Sequence, residues 1–238
     1  MRREDLIIGA KSQAWVSALA RPSVKLLDEV GIWQWLLARN AVPFGRMQVA
    51  VEGGGDFNFR GQDIGTKNLG YIVNNVLIRQ SLWRCVEALG DGVFAIEDQP
   101  MHWDDVEGVL TTAGGVWVHA PVLVGADGAH SWVRQAANIA LDVDQGVNDE
   151  AWIGMLSHQR FHEEVARQVF YHDGVVGILP SRDPGKSACV WSRSRKKGGV
   201  ESGEMSRDDR AQLKKRLATF QKEGYMYSVE GEWQKRQI

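Results

Sequence analysis

The sequence predicts an α/β (α+β) fold in which helices accompany sheets that are mostly antiparallel. Three observations carry this. Two stretches, Pro22 to Ala38 and Asn74 to Leu89, repeat apolar residues near helical spacing. Three regions, Val42 to Phe59, Val93 to Val118 and Trp152 to Ser192, alternate apolar and polar residues between Gly, Asp and Pro turns. One apolar run, Val122-Leu123-Val124, ends abruptly in Gly125-Ala126-Asp127-Gly128, as strands do where an open α/β sheet presents a ligand site.

Taken in order, Asp5 to Ala10 reads as a first strand entering a tight turn at Gly9. No G-x-G-x-x-G follows, because Lys11 comes next and no second or third glycine is present. Pro22 suits the first turn of a helix that carries Val24, Leu27, Val30, Trp33 and Leu36, with Gly31 as a breaking point. Met47, Val49 and Val51 alternate, Gly53-Gly54-Gly55-Asp56 turns, and Phe57 and Phe59 alternate again, which predicts a hairpin. The three glycines are no phosphate loop, since no helix opening with Lys-Ser/Thr follows them.

Val76, Leu82, Val86 and Leu89 give the second helix its apolar stripe. A short meander is predicted over Val93 to Ile96, Val106 to Thr112 and Val116 to His119. Strands follow at Arg167 to Tyr171, Val175 to Leu179 and Ala188 to Trp191, turning at Asp173-Gly174 and Asp183-Pro184-Gly185. Arg193 to Gly199 is a basic linker. Ser206 to Phe220 is a helix capped by Ser206, acidic in its first turn and basic toward its end.

Of these, Gly125 to Arg134 carries the most chemistry. Gly125 and Gly128 permit close backbone approach and φ > 0. Asp127 is suited to accept ribose hydroxyls or to orient backbone N–H groups, and Ser131 to cap the next helix. A plain Asp-Gly turn between strand and helix accounts for the same residues equally well. His158 and His162 stand four apart beside Glu163, but no third metal ligand has matching spacing. No G-x-S-x-G elbow, paired carboxylates or Cys/His arrangement stands out.

Gly125-Ala126-Asp127-Gly128-Ala129-His130-Ser131-Trp132-Val133-Arg134 resembles the "GADGxxSxxR" signature of FAD-dependent aromatic hydroxylases. Other segments follow the same family in order. Val16-Ser17-Ala18-Leu19 with Lys25-Leu26-Leu27 and Gly31-Ile32-Trp33 resembles "RVSAL…LL…LGVW". Leu69 to Asn75 with Leu82-Trp83 resembles "LGYIVEN…ALW". Val165 to Phe170, Leu179-Pro180 and Val190-Trp191-Ser192 resemble "VARQVF…LP…VWS". The nearest subgroup is the ubiquinone-biosynthesis hydroxylases of the 2-octaprenylphenol type.

The resemblance implies an incomplete FAD/NAD(P)-binding Rossmann-like domain with a mostly antiparallel substrate-side sheet. It implies residues 1–140 as the cofactor-side domain, with the hairpin 42–60 lent to the substrate side. Residues 141–192 are then the substrate-side sheet, and 193–238 a basic linker and helical tail. FAD and NAD(P)H are the implied cofactors. Gly125, Asp127, Gly128, Arg134, Arg79 and Gly9 are the implied cofactor-binding residues. Arg79 stands where the family carries Gln or His, and Trp15 where it carries Arg. Neither the G-x-G-x-x-G turn nor the family's "GDAAH…PLAGQGVN" segment has a counterpart, so the chain is expected to be a shortened member.

The implied reaction is hydroxylation of a polyprenylated phenol in ubiquinone synthesis, with no side chain required as catalyst. The alternatives are a shortened, non-catalytic relative that acts by binding, and an unrelated module with a chance Asp-Gly turn. The net charge of −2 across 238 residues gives no reason to expect nucleic acid. Nothing resembles a membrane span or signal core, and two cysteines, Cys85 and Cys189, suit buried free thiols in a reducing cytoplasm. Ten Trp suit core filling or a pocket for an aromatic substrate. The basic tail would suit peripheral contact with the inner membrane, and other ubiquinone-synthesis proteins are the expected partners.

Overall fold

The structure is a computed structural model that describes residues 14–141, 149–194, 204–229 and 231–237. The first predicted strand with Gly9, and the basic run after Ser194, lie outside the described residues. The chain divides into two compact units. One holds the described residues up to 90 and from 149 onward; the other holds those from 91 to 141.

The larger unit begins with β1 (Val16–Ala20), α1 (Arg21–Glu29) and α2 (Trp33–Arg39). Pro22 occupies the first turn of α1, and Gly31, at φ +87°, separates the two helices at the predicted breaking point. β2 (Val42–Phe44), β3 (Arg46–Val51) and β4 (Asp56–Arg60) follow, then β5 (Gly70–Asn74) and α3 (Asn75–Ala88). The Asn74 side chain caps α3, accepting the N–H groups of Val76 at 2.9 Å and Leu77 at 3.4 Å.

The smaller unit holds β6 (Pro100–Asp104), β7 (Val109–Thr112), β8 (Trp117–His119) and the short α4 (Trp132–Ala136). Its strands form an antiparallel meander in the order β6-β7-β8. The first strand is Pro100–Asp104, not the predicted Val93 to Ile96. The Asp104 carboxylate accepts the N–H groups of Val106 and Glu107 at 3.0 Å, which fixes a turn and pairs Asp104 with Val109.

The larger unit resumes with β9 (Asp149–His158), β10 (Val165–Tyr171), β11 (Gly174–Pro180) and β12 (Lys186–Ser194). It closes with α5 (Arg207–Leu217), β13 (Tyr227–Ser228) and β14 (Trp233–Gln237). Eight strands make one sheet, ordered β13-β9-β12-β11-β10-β3-β4 with β14 also on β9. Its pairings are antiparallel except β3 with β10, where Arg46 faces Val165 and Val51 faces Phe170. The early hairpin is thus part of the late sheet. A second sheet has the order β1-β5-β2.

Burial follows these faces. α5 places Leu213 and Leu217 on Trp152, Leu156, Ile178 and Trp191 of the large sheet. Ser206 and Asp209 form a reciprocal capping box at its start. Arg216, one of the basic residues toward the end of α5, turns inward. It grips Asp173 at 2.6 Å and lies over the Tyr171 ring. Val42, Phe44 and Ile72 of the small sheet pack on Ala166, with Leu179 alongside, and so join the two sheets. Among the described residues no helix is long and apolar enough to cross a membrane.

Candidate functional site

The ten residues Gly125 to Arg134 form a self-contained turn. The Asp127 carboxylate accepts the Ser131 hydroxyl at 2.5 Å and the N–H groups of Trp132 at 2.6 Å and Val133 at 3.3 Å. Ser131 Oγ accepts the Arg134 N–H at 3.0 Å, which makes Ser131 the cap of α4 as its position predicted. The Arg134 guanidinium donates back to the Ala129 carbonyl at 2.8 Å. These bonds hold the Asp127 carboxyl below the usual carboxylate range, the Ser131 hydroxyl foremost.

The glycines serve the same turn. A Cβ on Gly125 would lie 2.9 Å from Val133 Cβ, so α4 can sit this close only over a glycine. Gly128 has φ +91°, a conformation side chains resist. Gly125, Asp127, Gly128 and Arg134 are therefore brought together by hydrogen bonding and packing inside one turn. The run before them is a correction. Val122 and Val124 are 69% and 77% exposed and in no strand, although continuous apolarity predicted burial. Such a run becomes a strand only where another strand pairs with it, and no described strand does.

This arrangement decides what the turn offers a nucleotide. The first N–H groups of α4 are taken by Asp127 and Ser131, and the helix is five residues long. The turn therefore does not fit a pyrophosphate as a ready anion cradle, and no phosphate contact is assigned to it. Of the remaining expected residues, Arg79 lies half-buried in the larger unit, with its guanidinium 5.5 Å from the centroid of the Trp15 ring. Gly9 lies outside the described residues.

A second candidate lies in the larger unit, where its two sheets meet. A crevice of about 320 Å³ is walled by Val16, Val42 and Ile72 on one side and by Met155, Pro180 and Ala188 on the other. Its rim carries Arg39, Arg182, Asp183 and Lys186. The Arg182 guanidinium donates to the Arg39 carbonyl and ties the rim across. Met155 and Ala188 face each other in the β9–β12 register. Apolar walls with a few polar groups at the mouth suit a small aromatic molecule. Alternation along each strand could place Met155 and Ala188 on one face, but nothing in the sequence brings that face against β5.

His158 and His162 hold no metal geometry. His158 Nδ1–H donates to the Arg160 carbonyl at 2.5 Å, and Nε2 accepts from the Ser187 hydroxyl at 3.1 Å. His162 Nε2–H donates to the Ser181 carbonyl at 2.8 Å, and Nδ1 accepts the Glu164 N–H at 3.1 Å. All four ring nitrogens are used, and the described residues contain no cluster of metal-ligand type. Cys189 is fully buried and Cys85 half-buried; both are free thiols.

Comparison with known proteins matches residues 17–226 to the family described as FAD binding domain. The 3-demethoxyubiquinol 3-hydroxylase of Escherichia coli K12 is 30% identical over 178 residues, 74% of this chain and 45% of that protein. The ubiquinone hydroxylase UbiL of Rhodospirillum rubrum is 31% identical over 191 residues, 79% of this chain and 44% of that protein. The chain thus spans less than half the length of these relatives. In fold it is similar to a crystal structure of a Pseudomonas aeruginosa PqsL mutant. The TM-score is 0.70 at 15% identity, covering 100% of this chain and 64% of that one.

Proposed function

We propose that this chain, which belongs to the FAD binding domain family, serves FAD-dependent hydroxylation of a polyprenylated phenol in ubiquinone biosynthesis. The observation that carries the reading is the crevice between the two sheets. Its walls are largely apolar on both sides with Asn74 among them, its mouth carries three cations and Asp183, and it lies beside the packed joint that holds the sheets together. A phenolic ring enters such a slot by losing apolar surface to water, while a long apolar tail trails outward. Both relatives are named as hydroxylases of ubiquinones or their precursors, which supports this chemistry over a purely binding role.

FAD, when bound, supplies the electrons and oxygen activation that ring hydroxylation needs, with NAD(P)H as the proposed reductant. The chain's own residues do the rest. Met155 and Ala188 form part of one apolar wall of the crevice and exclude water. Arg39, Arg182 and Lys186 favour an electron-rich or anionic group at the mouth. Gly125, Asp127, Gly128 and Arg134 make one stiff turn whose shape Asp127 holds, and no phosphate contact of FAD is routed through it.

The test is a flavin titration of the full chain, followed by an assay. Added FAD is expected to shift its visible bands and lose fluorescence. A prenylated phenol is then expected to stimulate NAD(P)H oxidation, and Met155→Trp, which fills the crevice, to cut that stimulation about tenfold while FAD binding persists. No flavin response at about 100 μM, a weak-binding limit near 5 kcal/mol, overturns the reading.

A further inference from the structure

We propose that two copies of this chain associate by pairing their β4 strands antiparallel across a two-fold axis through Asn58. β4 closes one end of the eight-stranded sheet, with β3 as its neighbour on one side. All five of its residues are exposed, Phe57 by 61% and Phe59 by 54%. Such an edge is a template for another strand unless it is very short, bulged, covered, or guarded by proline or by charges that find no partner. This one has no proline and keeps regular register with β3 from Arg46–Arg60 to Ala50–Asp56.

The backbone geometry says which groups face outward. The hairpin bonds run from the Val51 N–H to the Gly55 carbonyl at 3.2 Å and from the Gly61 N–H to the Gly45 carbonyl at 2.9 Å. Bonded pairs alternate along an antiparallel ladder, so Phe57 and Phe59 also turn their N–H and C=O groups toward β3. Asp56, Asn58 and Arg60 therefore turn theirs away from the sheet. Three such outward residues centred on Asn58 are the set a two-fold partner needs. Asp56 meets the partner's Arg60, Asn58 meets its own copy, and Arg60 meets the partner's Asp56, all as bonded pairs.

The side chains match that register. Asp56, Asn58 and Arg60 lie on one face, where each carboxylate would stand opposite a guanidinium. Phe57 and Phe59 lie on the other, where each ring would stand opposite the partner's other ring. Opposite charges and facing aromatics are the stabilising cross-strand pairs. Asp-Phe-Asn-Phe-Arg is thus self-complementary when reversed, and in-register parallel pairing would instead put like charges together. Arg60 forms no ion pair among the described residues, and Asp56 has one local bond, from the Asn58 amide at 3.3 Å. One five-residue edge is a small interface, so association in the micromolar range is expected.

Sedimentation velocity on the full chain tests this. A monomer–dimer equilibrium is expected between about 1 and 200 μM, the range set by an interface of this size. Asp56→Arg and Arg60→Asp, each checked for native circular dichroism, are each expected to weaken dimerisation at least about tenfold, because like charges then oppose twice. Mixing the two variants is expected to restore dimers, since both edge positions are then cationic on one chain and anionic on the other, and every facing pair is again of opposite charge. A wild-type monomer throughout that range, a dimer indifferent to either substitution, or a mixture that stays monomeric overturns the proposal.

Discussion

Asp127 and Ser131 are joined by a 2.5 Å hydrogen bond in which the serine hydroxyl donates, while the same oxygen accepts the Arg134 N–H. One hydroxyl thereby links the carboxylate to the helix start. Ser131→Ala is expected to release the first turn of α4 at a cost of about 1 kcal/mol. Faster amide exchange at Trp132 and Arg134 checks it. The depressed carboxyl of Asp127 sets a pH sign. Its contribution to the turn is present above the ordinary value of 3.8 and is lost as pH falls through the lower folded value. Exchange at Trp132 should therefore accelerate only in that acidic window.

Burial pushes the His158 pKa down, opposed by its bond to the Arg160 carbonyl and aided by the nearby charge of Arg167. The unfolded chain takes up this proton first. Stability from a neutral His158 is complete above 6.5 and declines as pH falls from there through the folded value. Urea unfolding between pH 8 and 5 should show that decline, and His158→Gln should flatten it. An identical slope in the variant would assign the effect elsewhere.

Gly154 pairs across the strands with Trp233, and a Cβ there would lie 2.4 Å from the indole ring. Gly154→Ala must displace that ring, and with it β14 from β9. A loss of about 2 kcal/mol is expected, typical of an overpacked core. Thermal unfolding monitored by tryptophan fluorescence would show it.

Glu150 sits between two cations: Arg193 Nη2 lies 2.8 Å from one carboxylate oxygen and Lys235 Nζ 2.8 Å from the other. Burial raises its pKa, but the two cations prevail and the net direction is down. Glu150→Gln should cost about 2 kcal/mol, less than for a fully dry pair because both cations keep some contact with water. The wild-type advantage should vanish as pH falls below 4.5 toward the folded value. Denaturant unfolding of both proteins at pH 7 and pH 3.5 measures both effects.

Elements whose signals are local were legible in the sequence. Pro22, Gly31, Ser131 and the Ser206–Asp209 box mark boundaries through their own chemistry, and the β3–β4 hairpin follows from alternation around three glycines. Elements that depend on distant neighbours were not. Val122 to Val124 has the apolarity of a strand but no described partner. Pro100–Asp104 reads as polar until the Asp104 turn sets its register. The crevice needs Met155 brought against Ile72, which no periodicity encodes. The turn at Asp127 was found by its motif, while its inward-directed bonds could be read only from coordinates.

The parallel contact of β3 with β10 links segments separated by about 120 residues. A chain emerging from the ribosome must therefore leave the β3 edge unpaired until β10 has been made. At about 5–20 residues per second, that interval lasts roughly 6–24 seconds. During this time the unpaired edge of the nascent hairpin is open to aggregation, and a chaperone would shield it.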